Sequence, residues 1–127
     1  MPLSYVYDAS RRTTALTATG RVTMQDRYDL VLRALDDQGL ASGESSFLID
    51  VSGVDAAPVE EDVGAIAAML RLLRARFGGR VAILNTSAGH ATVSVLVALT
   101  AMAPDHIQAF TAEHEARAWL AEPLRSA

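Results

Sequence analysis

The sequence predicts an α/β fold built on a mostly parallel sheet, and three observations carry that reading. Two short apolar runs, Phe47-Leu48-Ile49-Asp50-Val51 and Val81-Ala82-Ile83-Leu84, lack strict alternation, as strands covered on both faces do. Between them lies a long stretch whose apolar residues recur at the period of an amphipathic helix. Strand-like and helix-like segments then alternate toward the end of the chain, which calls for parallel strands joined by right-handed crossovers.

Residues 4–8 alternate, with Tyr5 and Tyr7 on one face and Val6 on the other, and suit a short edge strand. Ala9-Ser10-Arg11-Arg12 reads as a turn, and the Thr-rich residues 13–19 as the second strand of an antiparallel hairpin, ended by Gly20. Thr23 is the expected N-cap of the first helix, with Asp26 completing a shortened capping box. Met24, Tyr28, Val31, Leu32 and Leu35 form its apolar face, and Gly39 is the expected left-handed stop. A small polar connection over 41–45 leads to the strand at 47–51, followed by a loop at Ser52-Gly53-Val54-Asp55.

Pro58 stands near the start of the second helix, the clearest element of the chain. Val59, Val63, Ile66, Leu70, Leu73 and Phe77 step along one seam of it. Glu60, Glu61 and Asp62 suit its positive end, Arg71, Arg74 and Arg76 its negative end, and Gly78-Gly79 stops it. The strand at 81–84 ends at Asn85-Thr86-Ser87. Residues 91–102 divide their signals: Val and Thr favour strand, whereas length and Ala favour a buried helix, which is the assignment taken; Pro104 closes the segment. A short strand at 107–110 and a helix at 113–122, packing Ala116, Trp119 and Leu120, complete the order β-β-α-β-α-β-α-β-α.

The chain has 127 residues, 50% of them apolar and 20% charged, with a formal net charge of −4. That suffices for one core over residues 1–127 without a disulfide or metal staple, and excludes a disordered tail or a fibre. There is no cysteine, so thiol catalysis and thiolate metal sites are excluded. An acidic chain is poorly suited to neutralising phosphates, so no nucleic-acid partner is expected. No secretory signal is read in the first twelve residues, and the longest apolar run, at about 13 residues, falls short of a membrane span. A cytoplasmic protein is the expectation.

The element order and several landmarks resemble the STAS-domain, SpoIIAA-like family, and within it the small bacterial STAS/SEC14 domain-containing proteins. The landmarks are Gly20-Arg21-Val22-Thr23 before the first helix, Leu48-Ile49-Asp50-Val51-Ser52-Gly53, and Gly79-Arg80-Val81-Ala82-Ile83. The last is the closing segment from Phe110 through Glu115-Ala116 to Trp119-Leu120. The resemblance implies one SpoIIAA-like domain and a non-catalytic regulatory or protein-interaction module, like the anti-sigma-factor antagonists, in which a Ser at the start of the second helix is phosphorylated. Here the match spans Asp50-Val51-Ser52-Gly53-Val54 and then departs. Pro58-Val59-Glu60-Glu61-Asp62 replaces the Asp-Ser-Ser pattern, and no hydroxyl remains between Gly53 and Gly64. The acidic replacement complements the helix dipole in its ordinary reading. In the sharper one it mimics a permanently phosphorylated helix start, making Ser52, Asp55, Glu60, Glu61 and Asp62 the candidate partner-binding residues.

Candidate chemistry is sparse. The spacing of His90, His106 and His114 matches no recurrent zinc motif, so neither metal nor cofactor is expected. Asn85, Thr86, Ser87 and His90 follow the end of a parallel strand, where open α/β sheets bind ligands, although the same residue types serve ordinary caps and turns. Ser87, His90 and Asp55 could compose a nucleophilic set on paper, and Asp50 with Asp55 a carboxylate pair. Without a nucleophile elbow, phosphate loop or dinucleotide fingerprint, no catalytic residue is assigned. Ala65, Met69 and Leu72 add a second apolar row to the long helix, covered by a neighbouring helix, a homodimer partner or a pocket.

Three functions follow, in this order. The first is an interaction module, which predicts an exposed apolar patch and no ligand. The second is a carrier of a small apolar or anionic, lipid-like ligand, as the SEC14 resemblance implies. It predicts a cavity walled by Met69, Leu72, Leu96 and Leu99, with Arg71, Arg74 and Arg76 near an anionic head. The third is an enzyme using the His90 loop.

Overall fold

The computed structural model describes residues 2–37 and 45–122. The expected stop at Gly39 and the connection at 41–44 lie outside the described residues. Strands β1 (Leu3–Asp8), β2 (Thr13–Gly20), β3 (Ser45–Val54), β4 (Gly78–Leu84) and β5 (Ile107–Phe110) form one sheet in the order β1-β2-β3-β4-β5. The β1–β2 hairpin is antiparallel and every other pairing is parallel. Helices α1 (Met24–Asp36), α2 (Glu60–Phe77), α3 (His90–Leu99) and α4 (Glu113–Ala121) fill the expected positions, with a short 3₁₀ turn at Ser87–Gly89 before α3. The order of elements is the one the sequence predicts.

Each crossover from β2 to β5 advances one strand in the same direction, so right-handed connections stack α1, α2 and α3 on one face. The packing agrees. Leu30 and Val31 of α1, Leu70, Leu73 and Phe77 of α2, and Val93 of α3 share one core with Leu16, Phe47, Ile83 and Ile107. Leu16, Ile49, Ile83 and Ala109 are successive cross-strand partners that carry this face. The opposite row, Ala15, Leu48, Ala82 and Gln108, belongs to the other face. There α4 packs Ala116, Trp119 and Leu120 over Leu48, Ala82, Leu84 and Phe110.

Several local expectations are corrected. The predicted loop at 52–55 is largely strand, because β3 resumes parallel pairing at Thr19↔Gly53 and Gly20↔Val54 after a register shift. Asp50 bridges that irregularity by accepting the Ser52 N–H at 2.9 Å and its hydroxyl at 2.6 Å. On α1 the buried residues are Leu30, Val31 and Ala34, whereas Leu32 (65%) and Tyr28 are exposed. The helix is therefore turned from the face the larger side chains suggest. Val59 caps α2 from outside the core and is exposed. Helix α3 ends at Leu99, earlier than 102, and the Thr100 hydroxyl closes the turn on the Val97 carbonyl at 2.6 Å. Strand β4 begins at Gly78, the left-handed cap of α2 (φ 76°), and Gly79 lies so close to β3 that a Cβ would overlap the Ser45 carbonyl.

Candidate functional site

The carboxyl ends of β2, β3 and β4 open onto a cavity of about 390 Å³ beneath α1, α2 and α3. Leu16, Ile49 and Ile83, one cross-strand row, form its floor, and Met69 and Leu96 its helical walls. Small residues stand in the surrounding loops, Ala56 and Ala57 before α2 and Ala88 and Gly89 before α3. No aromatic side chain is among the described lining residues. The polar ones are Arg27, Ser52, Asp55, Asn85, Thr86 and Thr92. This is the composition of a small-molecule site, a mostly apolar concavity with a few convergent polar groups.

The candidate ligand-binding residues divide. Asn85, Thr86 and Met69 line the cavity, and Ser87, His90 and Leu72 do not. Asn85 is held rigidly: its N–H donates to the Phe110 carbonyl at 3.0 Å and its Oδ1 accepts the Thr86 N–H at 2.8 Å. Gly89 packs on the Asn85 amide with no space for a Cβ, which explains a glycine in this turn. Ser87 is exposed in the 3₁₀ turn, and His90 opens α3 with its Nδ1 buried and without a partner among the described residues. Leu72 (55% exposed) and Leu99 (49%) point outward, so the expected walls reduce to Met69 and Leu96. Both missed walls sit on the solvent side of their helices.

Of the candidate partner-binding residues, Ser52 and Asp55 line the cavity, Glu60 and Glu61 are exposed on the first turn of α2, and Asp62 is half-buried. The arginines expected near an anionic head lie away from the cavity, Arg74 with its Nε buried and without a partner among the described residues. Arg71 donates to the Leu99 carbonyl at 3.1 Å, Arg76 stacks on Phe77, and none of these three lines the cavity. No hydrogen bond among the described residues joins Ser87, His90 and Asp55, so the base–nucleophile contact of a triad is not assembled. Asp50 is occupied by Ser52 rather than paired with Asp55. Among the described residues no three His, Asp or Glu gather as metal ligands, and no helix is long and apolar enough to cross a membrane.

Sequence reasoning overlooked Arg27, the only basic side chain among the described lining residues. It stands between Met24 and Val31 on the inward side of α1, half-buried, and donates to the Met24 sulfur at 3.3 Å. Burial lowers its pKa, while the charges of Asp62 and Asp26 act the other way. Asp26 is committed to the capping box, its carboxylate accepting the Thr23 N–H at 2.9 Å. The signal that could have found Arg27 is a charged residue interrupting an apolar helical stripe.

No protein-family model and no curated protein matches the chain. One solved structure is similar, that of an uncharacterized protein of the DUF3478 family from Shewanella loihica PV-4, described as having a SpoIIAA-like fold. The TM-score is 0.59 at 22% sequence identity, and the likeness covers 93% of this chain and 91% of that one. At that identity the likeness speaks for the fold alone. With its antiparallel first hairpin, otherwise parallel five-stranded sheet and four helices, the chain has a SpoIIAA-like fold.

Proposed function

We propose that this protein is a non-catalytic binding module that takes a small, largely apolar ligand into the cavity between its sheet and helices. The observation that carries this is the cavity itself. Its 390 Å³ falls within the usual range of small-molecule sites, about 300–1,000 Å³. It is a partly open concavity lined mostly by apolar side chains, the usual form of such a site. Its place at the carboxyl ends of parallel strands is where open α/β sheets hold their ligands.

The test uses a neutral apolar dye, N-phenyl-1-naphthylamine, whose fluorescence rises on leaving water. The unaltered protein should bind it saturably, and Ile66→Trp or Leu96→Trp, each filling the cavity from a different helix, should abolish the signal. Absence of saturable binding to the unaltered protein, or undiminished binding to both variants, defeats the proposal.

A second reading, the interaction module, is favoured by a separate observation. Leu72 on α2 and Val95 and Leu99, one turn apart on α3, are exposed, and Arg71 beside Leu72 reaches the Leu99 carbonyl. This outer α2–α3 surface would serve a homodimer. Native mass spectrometry of the unaltered protein and of Leu72→Ser/Leu99→Ser tests it: a dimer that the double variant dissociates supports the reading, and a monomer in both sinks it.

A further inference from the structure

The polar side of the cavity narrows the class of ligand. Arginine carries five N–H donors and stays charged at any physiological pH, so each one bordering an apolar space needs an acceptor. Several of the other arginines are engaged elsewhere, and Arg74, whose Nε is buried without a partner among the described residues, does not line the cavity. Arg80 holds backbone carbonyls of α4, Arg71 those at the end of α3, Arg11 and Arg117 pair with Asp8 and Glu113, and Arg33 and Arg76 lie over aromatic rings. Arg27 differs. Its one hydrogen bond among the described residues goes to a thioether, a weak acceptor, and no described carboxylate lies within ion-pair distance of it. Asp26 and Asp62 are near enough for their charge to be felt, yet Asp26 is held by Thr23. Asp55 also borders the cavity.

We infer that Arg27 is the head-group anchor of the cavity, and that the ligand is a single-chain amphiphile whose carboxylate meets this guanidinium while its tail lies along Leu16, Ile49, Met69 and Leu96. The inference rests on the proposed binding function and adds to it a ligand class and a polarity of insertion. The planar guanidinium fork fits a carboxylate through two parallel N–H···O bonds, which neither a hydroxyl nor an ammonium can accept in that way. Size agrees. At about 30 Å³ for each water-sized group, 390 Å³ admits roughly a dozen non-hydrogen atoms. A ten-carbon carboxylate is of that size.

Isothermal titration of the whole protein with decanoate, decanol and decylamine separates head group from tail. Decanoate should bind about 10-fold more tightly than decanol or better. Arg27→Met, which keeps the apolar stem, should bring decanoate down to the level of decanol while leaving decanol unchanged. Arg27→Lys, which keeps charge but loses the fork, should fall between and guards against a folding defect in the first variant. Equal binding of decanoate and decanol, or a preference that survives Arg27→Met, overturns the inference and leaves the apolar-ligand function standing. Tighter binding of decylamine overturns it in favour of the acidic side chain of Asp55. Failure of all three probes together with the neutral dye defeats the binding function itself.

Discussion

Arg80 is the residue whose removal should be felt most, and the structure gives the size of the effect. Arg80 is 4% exposed, and its side chain reaches from β4 to the last turn of α4. Its Nε donates to the Asp105 carbonyl at 3.1 Å, and Nη1 to the carbonyls of Trp119 at 2.7 Å and Glu122 at 3.2 Å. The guanidinium also lies 4.9 Å from the Trp119 ring centroid. Glu122 is largely exposed, so its 3.5 Å ion pair contributes little, about 0–1 kcal/mol. The carbonyl contacts matter more, at about 1.5–3 kcal/mol for each well-formed bond to a charged group. Part of that is offset by the cost of keeping the guanidinium out of water. Arg80→Met retains the stem and removes the donors, so a net loss of about 2–4 kcal/mol is expected. For a domain of this size that lowers the Tm by roughly 10 °C. The chain has one tryptophan, Trp119, so intrinsic fluorescence reports on α4 directly. Arg80→Met should red-shift its emission and advance its transition, and Glu122→Gln should do neither. A loss below about 1 kcal/mol, or an equal effect of Glu122→Gln, would refute the assignment of Arg80 as the clamp of α4. The cavity lies on the opposite sheet face, so dye binding well below the transition should survive.

Other outcomes follow from the same geometry. Thr23→Ala removes the hydroxyl that accepts the Asp26 N–H at 3.1 Å and should cost about 1 kcal/mol in urea unfolding. The Thr23 hydrogen bonds hold the Asp26 carboxyl below its usual pKa. Its contribution is therefore complete above the unfolded value near about 3.9 and fades as pH falls through the lower folded value. Stability measured from pH 6 to pH 2 should accordingly decline less in Asp26→Asn than in the unaltered protein. Gly79→Ala forces a methyl into the Ser45 carbonyl and should destabilise by about 2–3 kcal/mol, whereas Gly64→Ala, with open space at its Cβ on exposed α2, should be neutral or stabilising in thermal denaturation. Ser87→Ala and His90→Ala alter residues outside the cavity lining and should leave dye affinity unchanged; a loss in either would return the His90 loop to the site.

What could be read from the sequence depended on range. Most elements are punctuated locally, by Thr23 with Asp26, by Gly78-Gly79 and by apolar periodicity, and their order is the one found, whereas residues 91–102 carried divided signals and 52–54 read as loop. The buried side of α1 was misjudged because size was weighed over position. Ala34, at 1% exposure, lies at the core while Leu32 is in solvent, a rotation that only packing against α2 and β1 decides. Ser52-Gly53 resembles a turn because its bulge is closed by a side chain, Asp50, rather than by the sheet ladder. Arg80 was missed for a deeper reason: it acts on groups brought near by tertiary structure, with Trp119 thirty-nine positions away, and no local pattern encodes that.

The cavity has a cause in how bulk is distributed along the sheet. At the amino end of β3 and the carboxyl end of α2, Phe47 and Phe77 meet edge to face at 5.2 Å and fill the core completely. At the opposite end the lining includes the small residues Ala18, Ala56, Ala57, Ala88 and Gly89, and no aromatic residue is among the described lining residues. If this space is kept open for the proposed ligand, filling it should raise stability and weaken binding together. Ala18 is the clearest position to probe, because it is 4% exposed on β2 and borders the cavity. Ala18→Leu adds three carbons at about 0.8 kcal/mol each when fully buried, and after rotamer and packing losses should stabilise by about 1–2 kcal/mol. The same substitution should weaken dye binding, the opposed change expected where a core is kept open for a ligand. Thermal denaturation and dye titration of that one variant decide the matter. A lowered Tm with dye affinity intact would mean that the space around Ala18 is already committed to packing and lies outside the space the dye occupies.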